Sequence, residues 1–400
     1  MQAVMQRLQW RRPAASVITV AGTNGKGSVV TTCGAILAAS GYRTGVFTSP
    51  HFRDYRERIR IGDRLAGTAD LIAVFQRIEA VRDGIDLTFF EFNTLAALLL
   101  FEAAGLDVWV LEVGLGGRLD AVNVIDPDVA VVVSIGLDHQ EYLGTTLEDI
   151  GREKAGIFRA GRPALLGSRS LPASVGERAA DVGARLKRLG VEYDYERDGP
   201  GWHYRGTRWN LPGLPQPALF GDAQYDNAAT AIAAVEELTS LADVTAQSIA
   251  AGLHAVQLTA RFQIVRPGAG GPTWILDVAH NPAAARVLAR NLRALPEASS
   301  TFAVCGILAD KDAAAIVTEL RGCFARWWFV ATTGDRGRSA AALASCVAAG
   351  LDAPAEAVDS LPNACAAAAA AASDADRIVI FGSFHTVGPA LDWLESRGTL

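Results

Sequence analysis

Residues 16–28 read Ser-Val-Ile-Thr-Val-Ala-Gly-Thr-Asn-Gly-Lys-Gly-Ser, and this stretch constrains the fold more than any other. A β-branched apolar run, residues 17–20, leads at once into three glycines around one lysine, and then into the helix-favouring residues 29–39. The pattern predicts a buried strand, a tight loop and a helix. Glycines let the loop turn its N–H groups inward, the helix start adds the positive end of its dipole, and Lys26 adds a full charge. Gly22, Thr23, Asn24, Gly25, Lys26, Gly27 and Ser28 therefore read as a polyphosphate loop. The spacing is not that of a strict Walker A loop, because Gly27 intervenes between Lys26 and Ser28 and the gap from Gly22 to Gly25 is short.

Further apolar β-branched runs at residues 108–113, 129–133 and 164–166 alternate with helical patterns, which implies a mostly parallel sheet covered on both faces. Helices are expected over residues 69–82, 90–104, 172–189 and 223–241, an antiparallel meander over 191–211, and a proline-rich connector over 211–217. Near residue 260 the texture changes to a hairpin signal, followed by apolar runs at 302–305, 327–331 and 378–381 between alanine-rich helices. The expected fold class is α/β: a doubly wound, mostly parallel P-loop domain over residues 1–262, then a smaller Rossmann-like α/β domain over residues 263–400. Four hundred residues suit two such cores.

The formal net charge of −6 argues against broad nucleic-acid binding, which needs a basic surface. Five scattered cysteines without a Cys-x-x-Cys pair fit a reducing cytoplasm. No stretch has the length and apolarity of a signal core or a membrane span. The expectation is a cytoplasmic monomer acting on small molecules, with no nucleic-acid or membrane partner.

Ligands on parallel sheets gather at the carboxyl ends of the strands, and the polar residues fall there. Glu112 ends one strand, His139 lies beyond another and Ser49 beyond a third. A carboxylate and a hydroxyl suit Mg²⁺, which takes its remaining ligands from phosphate and water. By composition alone Lys154 is a surface lysine. In the second domain Asp277-Val-Ala-His-Asn-Pro and Phe381-Gly-Ser-Phe-His each lead from a strand into a helix start, so four of the six histidines lie in polar turns.

Several motifs, in order along the chain, resemble the folylpolyglutamate synthase/dihydrofolate synthase family of Mur-type ligases, closest to its bifunctional bacterial members. They are Gly22-Thr-Asn-Gly-Lys-Gly-Ser, Ser49-Pro-His, Leu87-Thr-Phe-Phe-Glu-Phe, Leu111-Glu-Val-Gly-Leu-Gly-Gly-Arg-Leu-Asp-Ala, Leu137-Asp-His, Arg152-Glu-Lys-Ala-Gly-Ile, Asn227-Ala-Ala-Thr-Ala, Arg261-Phe, Asp277-Val-Ala-His-Asn-Pro and Gly382-Ser-Phe-His-Thr-Val. The chain departs from the family in carrying only residues 1–15 before the loop strand, and in having Thr259-Ala260 where Pro-Gly usually precedes the arginine.

The resemblance implies an ATP-dependent amide ligase that phosphorylates a pteroate or folate carboxylate and lets the amine of glutamate displace the phosphate. By position it implies that Lys26 and the loop amides hold the β and γ phosphates of ATP, the co-substrate. It further implies two Mg²⁺ sites, one at Ser49 and Glu112 and one at His139 and a carbamylated Lys154. Asn227, with Gln224 one turn before it, would meet adenine, Arg261 the transferred phosphate and Asp277 the ribose. His280 and Ser383 match glutamate-binding positions, while Thr88, Phe90, Asp120 and Ala121 match the pterin-binding region. Two domains closing over the site would shield the acyl phosphate from water. The alternatives are a sister Mur-type ligase acting on a cell-wall precursor or other acid, and an inactive P-loop nucleotide-binding switch.

Overall fold

The computed structural model describes residues 1–199, 201–268 and 270–400. By its contacts the chain forms two compact units, the first of residues 1–218 and 223–257 and the second of residues 219–222 and 258–400.

The first unit is built on an eight-stranded sheet of β1 (Ser16–Ala21), β2 (Thr44–Phe47), β3 (Ile59–Ile61), β4 (Arg64–Leu65), β5 (Val108–Glu112), β6 (Val129–Val132), β7 (Pro163–Leu166) and β8 (Arg185–Arg188). The spatial order is β4-β3-β2-β5-β1-β6-β7-β8. All pairings are parallel except β2 with β3 and β3 with β4. Successive side chains on a strand point to opposite faces, and here both faces are buried. Val108 and Val110 join the core that holds Ile18, Val20 and the helix Lys26–Ala39, whereas Trp109 and Leu111 join the core under the helix Phe89–Ala103. That double burial is why the central strands read as unbroken apolar runs.

Two expectations need correction. The helix expected over 172–189 stops at Asp181; Gly183 turns at φ 68° and the chain continues as β8. The stretch expected as a proline-rich connector is in large part β11 (Asn210–Pro215), the outer strand of a three-stranded antiparallel sheet with β9 (Asp194–Asp198) and β10 (Gly201–Arg205).

This small sheet is tied to the helix Ala223–Glu236 through the last residue of that helix. Glu236 is 2% exposed and its carboxylate accepts from the Tyr204 hydroxyl at 2.7 Å and from the backbone N–H groups of Trp209, at 2.6 Å, and Arg208. Glu236→Ala would strand one buried and two half-buried donors, so a loss of about 2 kcal/mol is expected in urea unfolding. A change below about 0.5 kcal/mol would mean that solvent reaches these donors freely.

In the second unit, β12 (Gln263–Val265), β13 (Thr273–Asp277), β14 (Thr301–Cys305), β15 (Arg326–Val330), β16 (Ala355–Val358) and β17 (Arg377–Phe381) form a sheet in the order β12-β13-β17-β14-β15-β16. Only β12 runs antiparallel to its neighbour. Among the described residues no helix is long and apolar enough to cross a membrane.

Candidate active site

Strand order brings the candidate residues of the first unit together. β1 lies between β5 and β6, and Val20 pairs with Glu112 while Ala21 pairs with Val132. The loop leaving β1 is therefore flanked by the residues that follow β5 and β6. Gly25, at φ 87°, caps the helix Lys26–Ala39, a left-handed position that favours glycine. A Cβ there would stand 2.7 Å from Asn227 Oδ1, which puts the buried Asn227 directly against the loop. Asn227 Nδ2 also donates to Gln224 Oε1 at 2.9 Å.

Lys26 curls back so that Nζ donates to the carbonyls of Gly22 at 3.0 Å and Thr23 at 3.4 Å. Lys154, the last residue of the helix Leu147–Lys154, donates to the same Gly22 carbonyl at 3.0 Å. It is 5% exposed, so it is not the surface lysine that composition suggests. Burial, reinforced by the charge of Lys26 and opposed by Asp138 and Asp120, pulls its pKa down to about 7. A substantial neutral fraction near neutral pH follows.

Glu112 is buried, and its Oε2 accepts from the Ser49 N–H at 3.1 Å. A buried carboxylate beside a serine, one strand from the 22–28 loop, suits a hard divalent cation that completes its shell with phosphate and water. Among the described residues no group of three His, Cys, Asp or Glu side chains could hold a metal alone. His139 sits at φ 52°, its N–H bonded to Asp138 Oδ1 at 2.9 Å.

Phe90 and Asp120 meet at Gly114. The Phe90 ring occupies the space a Gly114 Cβ would need, at 2.5 Å, and Asp120 accepts from Leu115 N–H and Val122 N–H at 2.9 Å each. Burial pushes Asp120 up to about 6. Ala121 starts the turn that Asp120 caps, and Thr88 caps the helix Phe89–Ala103. Behind that helix start, Tyr55, Phe75, Leu87, Phe89, Phe92 and Asn93 line a cavity of about 330 Å³.

Two contributors went unassigned in the sequence. Arg58 is 6% exposed and donates through Nε to His51 Nδ1 at 2.7 Å. Ser134 bonds to Asn24 of the 22–28 loop itself. Arg58 lies seven residues from His51 in one arginine-rich stretch, whereas the Ser134 contact is defined by which strands are neighbours.

In the second unit Asp277 pairs with Phe381 across β13 and β17, so the turns carrying His280 and Ser383 are adjacent. Asp277 accepts from Phe262 N–H and Ala279 N–H at 2.8 Å each. Burial pushes it up to about 6, against the pull of Arg261. His280 Nδ1 donates to the Val278 carbonyl at 2.8 Å. Ser383 is buried and caps the helix Phe384–Ser396, accepting from Thr386 N–H at 3.1 Å.

Arg261 stands between Ala260 and Phe262, both at φ 53°, with its guanidinium 5.5 Å from the Phe384 ring centre. The left-handed backbone explains why glycine suits position 260. Relief of about 1–2 kcal/mol on Ala260→Gly is offset by roughly 0.5–1 of added flexibility and about 0.8 for the buried methyl. Thermal unfolding of that variant is therefore expected within about 1 kcal/mol of the parent.

A mostly parallel sheet whose 22–28 loop carries Lys26 and is met by Lys154, with the buried Glu112 ending the neighbouring strand and a second α/β unit following, fits the Mur ligase class. Residues 20–165 match the Mur ligase middle domain, and residues 260–384 match the Mur ligase glutamate ligase domain. The chain is 43% identical over 395 residues to dihydrofolate synthase/folylpolyglutamate synthase of Escherichia coli (strain K12), covering 98% of this chain and 90% of that one. The structure of E. coli FolC in complex with DHPP and ADP superposes with a TM-score of 0.92 at 42% identity, covering 99% of this chain and 92% of that one. A bifunctional folylpolyglutamate synthase/dihydrofolate synthase crystallised with Mn, AMPPNP and L-glutamate gives 0.89 at 42% identity, covering 98% and 92%. The chain belongs to the dihydrofolate synthase/folylpolyglutamate synthase family, and it is an ADP-forming acid–amino-acid ligase.

Proposed function

We propose that the protein joins L-glutamate to dihydropteroate and to tetrahydrofolate, through an acyl phosphate made at the expense of ATP. The convergence of Lys26, Lys154 and Glu112 on the 22–28 loop carries this reading. Phosphoryl transfer needs positioning and charge neutralisation more than a covalent nucleophile. Lys26 and the amides of Gly22, Thr23, Asn24, Gly25, Gly27 and Ser28 supply both, while Asn227 and Gln224 present amides to the base. Ser49 and Glu112 would hold a Mg²⁺ ion whose charge offsets that of the phosphates. The neutral Lys154 amine is suited to attack CO₂, lose a proton and become a carbamate, with which His139 would hold a second Mg²⁺. Thr88, Phe90, Asp120 and Ala121 offer the pterin a ring face and a carboxyl group.

In this reading residues 1–262 handle ATP and the acceptor, and residues 263–400 handle glutamate through His280 and Ser383. Arg261 meets the transferred phosphate and Asp277 the ribose. The protein acts in the cytoplasm as a monomer. The test is ADP release and labelled-glutamate incorporation with ATP, Mg²⁺, glutamate and either acceptor. ADP should form only when all are present. Absence of incorporation on both acceptors would refute the reading, and incorporation on a cell-wall precursor instead would favour the sister ligase.

A further inference from the structure

Ser134 follows β6 and touches the phosphate loop at three points. Its carbonyl accepts from Thr23 N–H at 2.7 Å, its hydroxyl accepts from Asn24 N–H at 3.0 Å, and the same hydroxyl donates to the Asn24 carbonyl at 2.8 Å. A trans peptide is planar, with its C=O and N–H pointing in opposite directions. Each bond to Ser134 therefore fixes where the other half of that peptide points.

The Thr23 N–H faces Ser134, so the Gly22 carbonyl faces away, and that is the carbonyl on which Lys26 and Lys154 both rest at 3.0 Å. The Asn24 N–H faces Ser134, so the Thr23 carbonyl faces the Lys26 side, where Nζ lies at 3.4 Å. The Asn24 carbonyl faces Ser134, so the Gly25 N–H is turned away from the 134–136 turn. Three successive peptides are thus set by one residue. A second tie holds the same register, since Thr23 Oγ1 accepts from Gly136 N–H at 3.0 Å and donates to its carbonyl at 3.2 Å.

We infer that Ser134 is a positioning residue for nucleotide binding: its hydroxyl orients the Asn24 peptides so that the Gly25 amide is aimed at the phosphates before they arrive. Preorganised donors cost no reorganisation when the ligand binds. In this chain the aim comes from β6, the strand that also leads to Asp138 and His139. The assignment rests on the phosphate-loop reading given above.

The experiment compares the full-length parent with Ser134→Ala and Ser134→Thr. It measures the Kd for Mg²⁺ and a non-hydrolysable ATP analogue, the KM values for ATP and glutamate, and Tm. Loss of the hydroxyl removes its two bonds to the Asn24 backbone, so S134A is expected to raise the nucleotide Kd and the KM for ATP by roughly tenfold or more. The KM for glutamate and the ligand-free Tm should stay near parental values. S134T keeps the hydroxyl and should recover most of the affinity. A parental Kd in folded S134A overturns the inference, as does an S134T as weak as S134A. A general loss of Tm, with both KM values rising together, also overturns it in favour of a purely structural role. Should S134A not fold, Ser134→Cys carries the same comparison. A parent that binds no nucleotide would instead refute the phosphate-loop reading.

Discussion

Lys26→Met should lower kcat/KM for ligation by on the order of 10²–10³-fold, the loss seen when one preorganised charge-stabilising donor is removed from a transition state. Lys26 is the lysine of the loop itself, and without ligand its Nζ rests on the Gly22 and Thr23 carbonyls. Those bonds are easily exchanged for stronger, charge-assisted ones to phosphate oxygens. Methionine keeps the length of the side chain and removes the charge, so the helix Lys26–Ala39 and its cap at Gly25 should be unaffected. Steady-state kinetics on both acceptors, with circular dichroism as a folding control, would test this. A variant retaining more than about a tenth of parental kcat/KM would remove Lys26 from the phosphate-binding role.

What could be read from the sequence follows burial. The central strands β1, β5 and β6 are buried on both faces, so their apolar runs are continuous and their positions were legible, as was the loop that ends β1. The misread or unassigned β8, β11 and β16 lie at sheet edges. β8 reads Arg-Leu-Lys-Arg, β11 contains two prolines, and β16 is largely exposed. An edge strand needs neither a full apolar face nor every backbone N–H, so charge and proline are tolerated there and the usual signal is missing. The site shows the same division. Lys26, Glu112 and His139 follow strands and could be placed by that rule. Ser134 also follows a strand, but its role could not be read that way, because its partners are over a hundred residues away and meet it only once β1 and β6 are known to be neighbours.

Lys154→Met should abolish ligation while making the protein more stable, an outcome that separates the demands of folding from those of chemistry. As a free amine Lys154 is buried and lies close to Lys26, and those two causes bring its pKa down to about 7. An unfolded chain holds that proton up to the ordinary lysine value near 10.4, so between about pH 7 and 10 the unfolded state binds more protons and stability rises with pH. The buried-cation penalty is fully present below about pH 7. Protein stripped of CO₂ should therefore gain roughly 1–2 kcal/mol from pH 7.0 to 8.5. The substitution would remove that slope and raise Tm at pH 7, since methionine matches the volume of the stem and carries no charge. The Gly22 carbonyl keeps Lys26 as a partner. Catalysis should move the other way. Only a neutral amine can take up CO₂, so the stripped parent should regain activity with added bicarbonate, more readily at pH 8 than at pH 6.5. The K154M variant should stay at least about 10²-fold below it with or without bicarbonate. Parental activity in K154M would show that the lysine is dispensable, and a parent indifferent to bicarbonate after stripping would show that the buried lysine works as an amine and that the carbamate is not formed.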